Sequence, residues 1–236
     1  MISAILLAGG KSSRMGRDKA FLELGPNAFV YRIARELLRV SDDLMVVIGR
    51  KEKELFQHTF EELKLEGHDP SRVRVLNDQY DFENPLAGIL TGFANARHDY
   101  AAVIGCDMPL INSSIIKSLS NHAEGFDCAV PIWENYTIEP LCGVYNVRHS
   151  IEASSLAILD GKVGPKHMVS YIPKANYVPV SLLRLLDPNL DSLMNINYPR
   201  EYEDLLRSLS GEQNVADAQV SLEVQLNKSG WDSTHA

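Results

Sequence analysis

The sequence predicts an α/β protein of three layers, α/β/α, in which helices cover both faces of a mostly parallel but mixed sheet. Short apolar runs with almost no polar alternation are typical of strands buried on both faces of a parallel sheet. Longer segments with helical periodicity separate most of these runs. One run, PLCGVYN, follows another strand with no obvious helix between them, which indicates that the sheet is mixed at that point.

The elements follow from these patterns in chain order. Strands are predicted near residues 3–8, 44–49, 73–76, 100–106, 127–132, 140–146 and 176–180. Helices are predicted over residues 28–39, 51–64, 86–97, 112–122, 148–159 and 199–209. Because crossovers between parallel strands are right-handed, we expect the loops after these strands to share one edge of the sheet.

The predicted elements occupy residues 1–209, which we expect to form one domain. The composition changes after Gly211, and residues 210–236 are predicted to be a C-terminal extension. Apolar residues at alternate positions over 220–226 fit an edge strand, and the last ten residues are typical of a poorly ordered terminus.

The composition limits the classes of function. Hydrophobic residues make up 45% of the 236 residues, so a sizeable core can form. The net charge of −8 argues against broad binding to nucleic acid or to an anionic membrane surface. No segment approaches the roughly 20 apolar residues that span a bilayer, and MISAILLAGG lacks the basic region of a signal peptide, so we expect a cytoplasmic protein.

Cys106, Cys128 and Cys142 lie in apolar runs without CxxC spacing and are expected to be reduced core thiols.

The first motif is the stretch ILLAGGKSSRMGRDKAF at residues 5–21. Gly9 and Gly10 directly follow a strand, where glycines let the backbone approach a ligand and turn its N–H groups toward an oxyanion. Four cations lie in the next nine residues, and among them Arg14 and Lys19 can neutralise phosphate charge. The stretch lacks the first glycine of a Walker A loop and the second glycine of GxGxxG. It therefore predicts a phosphate site of another kind, with a surface turn of solvated basic residues as the alternative.

The second motif is YAAVIGCDMPLI at residues 100–111. Its apolar strand ends in Asp107, and ligands of open α/β sheets bind outside the carboxyl ends of the strands. A carboxylate at that place suits Mg²⁺, which takes oxygen ligands and commonly joins one or two carboxylates to substrate phosphates. The alternative is that Asp107 caps the helix predicted to begin near residue 112.

The stretch LLAGGKSSRMGRDKAFL resembles the signature of the molybdenum cofactor guanylyltransferases, within the larger group of GT-A-like nucleotidyltransferases. The resemblance extends over most of residues 1–209 and implies a Rossmann-like, GT-A-like fold. It implies transfer of GMP from GTP to the phosphate of molybdenum-molybdopterin, giving molybdopterin guanine dinucleotide and pyrophosphate. It also implies that Asp107 coordinates Mg²⁺, with Mn²⁺ as a substitute, and that Arg14 and Lys19 stabilise phosphate charge. Molybdenum-insertion and molybdoenzyme-maturation proteins are the implied partners.

The same resemblance assigns the nucleotide site. The family's guanine pocket uses the first turn together with a GPLAG loop, which appears here as NPLAG because Asn84 replaces the first glycine. The implied nucleotide-binding residues are Leu7, Ala8, Gly9, Gly10, Lys19, Asp78, Pro85, Leu86, Ala87, Gly88 and Asp107. Related cytidylyltransferases tend to show AAG where this chain has AGG, and an extra methyl would close space that a purine needs. A second departure is Ile48-Gly49, where several family members carry an asparagine that contacts the nucleotide.

Acceptor-site residues are implied in three later segments. Asn195 and Asn197 belong to an NxNxP segment, which also reads as the N-cap of a helix. Lys166 lies in GKVGPKHMV, near where the family contacts its cofactor, although a solvated loop explains that segment almost as well. Glu139 lies in IEPL, which resembles a family loop leading into an inner strand.

Two other classes of function stay open from the sequence. One is a nucleotidyltransferase for another acceptor, such as a sugar phosphate or cobinamide phosphate, or one that transfers CMP from CTP to molybdopterin. The other is a nucleotide-binding regulator without turnover. Joint retention of Lys19 and Asp107 argues against the regulator, because binding alone needs no metal carboxylate.

Overall fold

The computed structural model describes residues 1–10, 15, 18–51, 53–61, 69–80 and 85–209. Its strands are β1 (Ile2–Leu7), β2 (Glu23–Leu24), β3 (Asn27–Ala28), β4 (Ser41–Val47), β5 (Val73–Leu76), β6 (Tyr100–Gly105), β7 (Cys128–Ile132), β8 (Cys142–Asn146) and β9 (Ala175–Pro179). Its α-helices are α1 (Phe29–Leu38), α2 (Lys53–Glu61), α3 (Pro85–Asn95), α4 (Ser113–His122), α5 (Val147–Leu159), α6 (Pro165–Ser170) and α7 (Val180–Leu183). Residues 199–209 are also helical, and short 3-10 helices lie at Lys19–Phe21, Pro70–Arg72 and Asp191–Leu193.

Seven of the described strands form one mixed sheet in the order β5-β4-β1-β6-β8-β7-β9. β1 is central and pairs in parallel on both sides, so that Leu6 lies opposite Val46 of β4 and Ile104 of β6. β8 runs antiparallel to both β6 and β7, whereas β9 runs parallel to β7. The predicted mixed character of the sheet at PLCGVYN is therefore confirmed. β2 and β3 form a separate antiparallel hairpin.

Alternation along the strands divides the core into two layers, because successive side chains of a strand point to opposite faces. In β1, Ala4 and Leu6 belong to the cluster that packs α1, α2 and α4 against one face. Ile5, between them, belongs to the cluster that packs α3, α5 and α6 against the other face. Both clusters are fully closed to solvent at these three positions. The three-layer arrangement predicted from the sequence is confirmed.

Side-chain caps set where two of the helices begin. The carboxamide of Asn112 accepts the backbone N–H of Ser114 at 2.8 Å, and that of Asn146 accepts the N–H of His149 at 3.1 Å. Asparagine is among the best N-cap residues because its oxygen satisfies an otherwise unpaired helical N–H group. Asn112 thus caps α4, and Asp107 is not the cap of that helix.

Every strand predicted for the sheet is present, and β5 has the predicted bounds. The hairpin β2–β3 and the helices α6 and α7 were not predicted. α6 begins with Pro165 in its first turn after Gly164, a favourable helix start inside the segment that was otherwise explained as a loop. The edge strand predicted over 220–226 lies outside the described residues.

The chain divides into a compact unit Met1–Asn195 and a second unit that begins at Ile196. In the second unit, the Glu201 carboxylate accepts the N–H groups of Asn197 at 2.6 Å and Tyr198 at 3.0 Å. This contact satisfies N–H groups at the start of the helix over 199–209, as in a capping box. The domain boundary between residues 209 and 210 stays a prediction. None of the helices described combines the length and the apolar character that crossing a membrane requires.

A buried carboxylate joins the strands at the amino edge of the parallel pairs. Asp43 accepts hydrogen bonds from Ser3 Oγ at 2.7 Å, the Arg97 N–H at 3.0 Å and Arg74 at 2.6 Å. Its side chain is 1% exposed. Burial alone would raise the pKa of Asp43, but the hydrogen bonds from Ser3, Arg97 and Arg74 hold that pKa below its ordinary value. The ionised side chain therefore stabilises the fold.

We predict that Asp43→Asn lowers the free energy of unfolding by about 2 kcal/mol at neutral pH, because donors that face a carboxylate would meet an amide. Since the pKa of Asp43 is lowered by folding, its contribution is complete above the unfolded value of about 4 and is lost as the pH falls below it. The difference between the two proteins should therefore shrink on acidification. Urea unfolding at neutral pH and at about pH 3 measures both effects.

Asp42→Asn is the matched control, because Asp42 is the neighbouring carboxylate but its side chain is 40% exposed and meets His98 Nε2 at 2.6 Å. That variant should change the free energy of unfolding by less than about 1 kcal/mol. Equal losses for the two variants would contradict the role given to Asp43.

Candidate functional site

The candidate site lies at the carboxyl edge of the sheet. β1, β4, β5 and β6 run parallel, so the turns that follow them meet at this edge. β8 runs in the opposite direction, so the segment that leads into it reaches the same edge. Ligands of open α/β sheets bind outside the carboxyl ends of the strands. The topology therefore brings together the segments that carry most of the predicted site residues.

The turn after β1 is held by a backbone contact with the turn after β4. The Ala8 N–H donates to Val47 O at 2.7 Å. A Cβ at Gly9 would lie 2.6 Å from the backbone nitrogen of Gly49, and a Cβ at Gly49 would lie 2.9 Å from the carbonyl oxygen of Gly9. Gly49 also has a φ of 66°, which L side chains rarely adopt. Both positions must be glycine for the two turns to touch.

This contact corrects the interpretation of AGG in place of AAG as leaving space for a purine. The added methyl at Gly9 would point at the backbone of Gly49, so the glycine is required by packing within the fold. At Gly10, by contrast, no described atom comes within 4 Å of an added Cβ. Gly10 is therefore the member of the pair whose Cβ direction is open to a ligand.

Lys51 joins the turn after β1 to the segment that carries Lys19. Its Nζ donates to the Ala8 carbonyl at 2.6 Å and forms an ion pair with Asp18 Oδ2, also at 2.6 Å. Asp18 in turn caps the 3-10 helix Lys19–Phe21, because its Oδ1 accepts the Ala20 N–H at 3.1 Å. Lys19 is thereby placed at the start of a capped turn beside the glycine pair.

Asp107 follows β6 and is placed next to β1, because the Cys106 N–H donates to Leu7 O at 3.1 Å. A Cβ at Gly105 would lie 2.5 Å from Asp107 Oδ1, so the carboxylate occupies the space over that glycine. Oδ1 is buried and has no hydrogen-bond partner among the described residues. Burial raises the pKa of Asp107, and the nearby Lys19 ammonium acts against that shift. A buried carboxylate oxygen without a donor is suited to a cation.

Asp78 and the start of α3 form another part of the edge. The Asp78 N–H donates to Gly49 O at 2.9 Å, and Asp78 Oδ1 is buried without a partner among the described residues. Burial raises the pKa of Asp78, with Arg50 acting in the opposite direction. A Cβ at Gly88 would lie 3.4 Å from Leu7 Cδ2 and 3.5 Å from Asp78 Oδ1. Leu7, Asp78 and Gly88 are therefore neighbours, and their role in nucleotide binding stays a prediction.

The other residues of the NPLAG loop divide by exposure. Pro85 is exposed at the first position of α3, whereas the side chains of Leu86 and Ala87 are fully buried. Leu86 packs in the core layer that covers one face of the sheet. These two buried residues can reach a ligand only through their backbone atoms. Asn84 lies outside the described residues.

Glu139 is held in a hydrogen-bonded group with two other residues. Trp133 Nε1 donates to Glu139 Oε1 at 2.9 Å, and Asn195 Nδ2 lies 3.5 Å from Glu139 Oε2. The Glu139 N–H also donates to Pro131 O at 3.0 Å. Glu139 and Asn195, which were predicted separately, are thus in contact. Because the Gly105 N–H donates to Leu141 O at 2.9 Å, this group lies at the same edge as Asp107.

Three predicted residues are not among those whose contacts define this edge. Lys166 is exposed on α6, a helix that packs against α5 and α3. Asn197 belongs to the second unit, where its backbone N–H meets Glu201, which supports the N-cap alternative for that segment. Arg14 lies outside the described residues.

Two site-edge residues were not predicted. Lys51 is part of the charged run RKEKE, which gives no sign of a contact with the end of β1. Trp133 follows an apolar strand directly and reads as a core residue. The sequence signal for the Trp133–Glu139 hydrogen bond was a tryptophan and a glutamate six positions apart across a turn.

A metal at this edge would rest mainly on Asp107. The described residues contain no group of three or more His, Cys, Asp or Glu side chains that could hold a metal by themselves. The unpartnered Oδ1 of Asp107 nevertheless fits a divalent cation that keeps water and substrate phosphates as its other ligands. The donor set thus suits a metal that arrives with a phosphate ligand.

The fold and this edge define an α/β nucleotidyltransferase, in which a glycine turn and a carboxylate lie at the same edge of a mostly parallel sheet. The particular family follows from the sequence: the model of the MobA-like NTP transferase domain matches residues 4–172, and the chain belongs to that family.

Curated relatives match nearly the whole chain. A probable molybdenum cofactor guanylyltransferase of Methanosarcina acetivorans is 33% identical, over 89% of this chain and 92% of the relative. The molybdenum cofactor guanylyltransferase of Desulfosudis oleivorans is 29% identical, over 86% of this chain and 93% of its own length.

Solved structures share the fold. Molybdopterin-guanine dinucleotide biosynthesis protein A from Archaeoglobus fulgidus has a TM-score of 0.69 and 22% identity, covering 89% of this chain and 99% of its own. The 4-diphosphocytidyl-2C-methyl-D-erythritol synthase of Anaerococcus prevotii has a TM-score of 0.64 at 12% identity, covering 88% and 95%. The fold is thus similar in proteins whose names refer to different nucleotides.

We predict that Gly9→Ala lowers the free energy of unfolding by about 1–3 kcal/mol, because the added methyl meets the backbone of Gly49. Gly10→Ala should change it by less than about 1 kcal/mol, because its methyl meets no described atom. Urea unfolding of both variants measures the difference. Similar losses for the two variants would contradict the contact between the turns.

Proposed function

We propose that this chain transfers GMP from GTP to the phosphate of molybdenum-molybdopterin, giving molybdopterin guanine dinucleotide and pyrophosphate. The observation that carries the proposal is the convergence of the glycine turn, Lys19 and Asp107 at one sheet edge, in a chain 33% identical to a probable molybdenum cofactor guanylyltransferase.

In this reaction an oxygen of the acceptor phosphate forms a bond to the α-phosphorus of GTP. The bond from that phosphorus to the bridging oxygen breaks, and its electron pair leaves with pyrophosphate. The acceptor phosphate is already an anion, so no general base is needed. The protein contributes positioning and charge stabilisation, which dominate such transfers.

The basic and glycine residues would bind the triphosphate. Lys19 would stabilise charge on the α-phosphate and on departing pyrophosphate, with Arg14 in the same role. The N–H groups of the turn at Gly9 and Gly10 would donate to phosphate or base oxygens. The role of Lys19 is supported by its effect on Asp107, because the Lys19 ammonium is near enough to oppose the rise that burial causes in the pKa of that carboxyl.

Asp107 would hold the metal, which we propose to be Mg²⁺, with Mn²⁺ as a substitute. Its buried and unpartnered Oδ1 supports this role. When bound, the cation supplies positive charge that stabilises the transferring phosphates. Gly105 supports the same role, because a Cβ at that position would come within 2.5 Å of Asp107 Oδ1, and its absence leaves room for the ligand oxygen.

The guanine site would lie between the turn after β1 and the start of α3. Backbone carbonyls there can accept from the N1–H and 2-amino groups of guanine, and a backbone N–H can donate to its O6. The neighbouring positions of Leu7, Asp78 and Gly88 support this assignment. The proposed guanine site also includes Ala8, Pro85, Leu86 and Ala87. The side chains of Ala8, Leu86 and Ala87 are buried, so these three residues would contact guanine through their backbone atoms.

The acceptor would be bound on the side of Glu139 and Asn195, with Lys166 and Asn197 as further proposed contacts. The hydrogen bonds of Glu139 to Trp133 and Asn195 support a preorganised polar surface at that place. We also propose a cytoplasmic location and handover of the product to molybdenum-insertion or molybdoenzyme-maturation proteins.

Nucleotide choice is the first test of the proposal. Calorimetry with GTP, CTP and ATP, each with and without Mg²⁺, should show GTP binding at least about tenfold tighter than CTP. Preference for CTP would assign the chain to cytidylyl transfer. No binding of any triphosphate would contradict the proposed function as a whole.

Asp107→Asn separates turnover from binding. This variant should retain GTP binding without Mg²⁺ but lose at least about 100-fold in pyrophosphate release with molybdopterin as acceptor, because the metal ligand is weakened. Asp99→Asn is the matched control, since Asp99 is exposed and precedes β6 at the opposite edge. If sugar phosphate or cobinamide phosphate supports release and molybdopterin does not, the acceptor is wrong and the nucleotidyl transfer stands.

Trp133→Phe tests the acceptor side. It keeps an aromatic ring but removes the N–H that Glu139 accepts, and hydrogen bonds to charged groups are worth about 1.5–3 kcal/mol. The KM for molybdopterin should rise about tenfold or more, while the Kd for GTP stays unchanged. A parallel loss of GTP affinity would show that this group does not belong to the acceptor site.

A further inference from the structure

We propose that Lys51 is a positioning residue for nucleotide binding, which fixes the glycine turn after β1 relative to the short helix that carries Lys19. The inference rests on the proposed function and deepens it. Its basis is the pair of contacts from a single ammonium group to Ala8 and Asp18, both at 2.6 Å. Ala8 precedes the glycine pair and Asp18 precedes Lys19, so Lys51 connects the two halves of the phosphate site directly.

Lys51 is itself held from three sides, so its ammonium is preorganised. Its backbone N–H donates to Ile48 O at 3.2 Å, and its carbonyl accepts Asn77 Nδ2 at 2.8 Å. Its Nζ lies 5.9 Å from the ring centre of Phe56, which packs on Phe21 at 4.8 Å between ring centres. Since Phe21 ends the 3-10 helix that begins at Lys19, apolar packing supports the same connection as the ion pair.

The charges around Lys51 explain why its loss should affect Lys19. Asp18 has the Lys51 ammonium as an ion-pair partner, and Lys19 is the next residue of the chain. Burial raises the pKa of the Cys106 thiol to about 12, and Asp107, Lys51, Asp18 and Lys19 also act on it, so these four groups belong to the same region. Without Lys51, the negative charge of Asp18 would attract Lys19 away from the metal carboxylate and the phosphates.

A positioning role differs from direct contact with substrate. An ammonium group has three N–H donors, and those of Lys51 reach two groups of the protein itself. In the positioning role, these two contacts carry the effect of Lys51 on the nucleotide, through Asp18 and through the backbone of the turn. Removing the charge of Asp18 should then relieve the loss of Lys51, which removal of a direct phosphate contact would not allow.

The test is a double-mutant cycle with Lys51→Met and Asp18→Asn, read by calorimetry with GTP in the absence of Mg²⁺. Asparagine keeps the cap on Ala20 while it removes the charge. We expect Lys51→Met to weaken GTP binding about tenfold, and Asp18→Asn in that background to restore it to within about threefold of the wild type. Lys174→Met is the matched control, because Lys174 also lies over a ring, that of Phe126 at 5.1 Å, and should leave GTP binding unchanged.

Thermal unfolding of each variant shows whether it is folded, and Lys51→Gln is measured alongside. Glutamine keeps a donor for Ala8 and removes the charge, so it has the same expected effect if Lys51→Met does not fold. Unchanged GTP affinity in the folded Lys51 variants, or a double variant no better than Lys51→Met, overturns the inference and leaves the proposed function standing. Failure of the wild type to bind any triphosphate overturns both.

Discussion

The parallel pairing of β1 with two neighbours is the constraint on which the site depends. Leu6 is opposite Val46 on one side and Ile104 on the other, so the ends of three strands are fixed against one another. The glycine turn, the turn with Gly49 and the carboxylate of Asp107 are the direct continuations of those ends. A shift of one residue in the register of β1 would exchange its two core faces as well as displace the turn, and so the buried layers also stabilise the geometry of the site.

Buried carboxylates at the two edges of the sheet differ in their hydrogen bonding and in the direction of their pKa shifts. At the amino edge, Asp43 receives hydrogen bonds from side chains and backbone, and its pKa is lowered. At the carboxyl edge, Asp78 and Asp107 each have a buried oxygen without a described partner, and burial raises the pKa of both. The first arrangement stabilises the fold, whereas the second costs stability and is typical of groups that serve a ligand.

The sequence was sufficient to locate the strands of the main sheet along the chain, because burial on both faces makes each of them a short and almost uninterrupted apolar run. It also located Asp107 and the glycine pair, because the end of an apolar strand is visible in the sequence. The hairpin β2–β3 was missed because strands of two residues have no periodicity to detect. Lys51 was missed because its partner Ala8 is 43 positions away, and a lysine in a charged run reads as solvated until the fold is known. Trp133 was missed for a related reason. A tryptophan directly after an apolar strand is typical of a core residue, and the hydrogen bond from its N–H to Glu139 is visible only in the folded turn.

The reciprocal contact of Gly9 and Gly49 also has a consequence for sequence change over time. Each glycine leaves room for the backbone of the other, so a larger residue at either position requires the opposite turn to move. Substitutions at the ends of β1 and β4 should therefore be acquired together or with a change in loop length. A side chain placed in one turn to contact the nucleotide would require both turns to be remodelled, so the two turns are constrained as one unit although 40 positions separate the glycines.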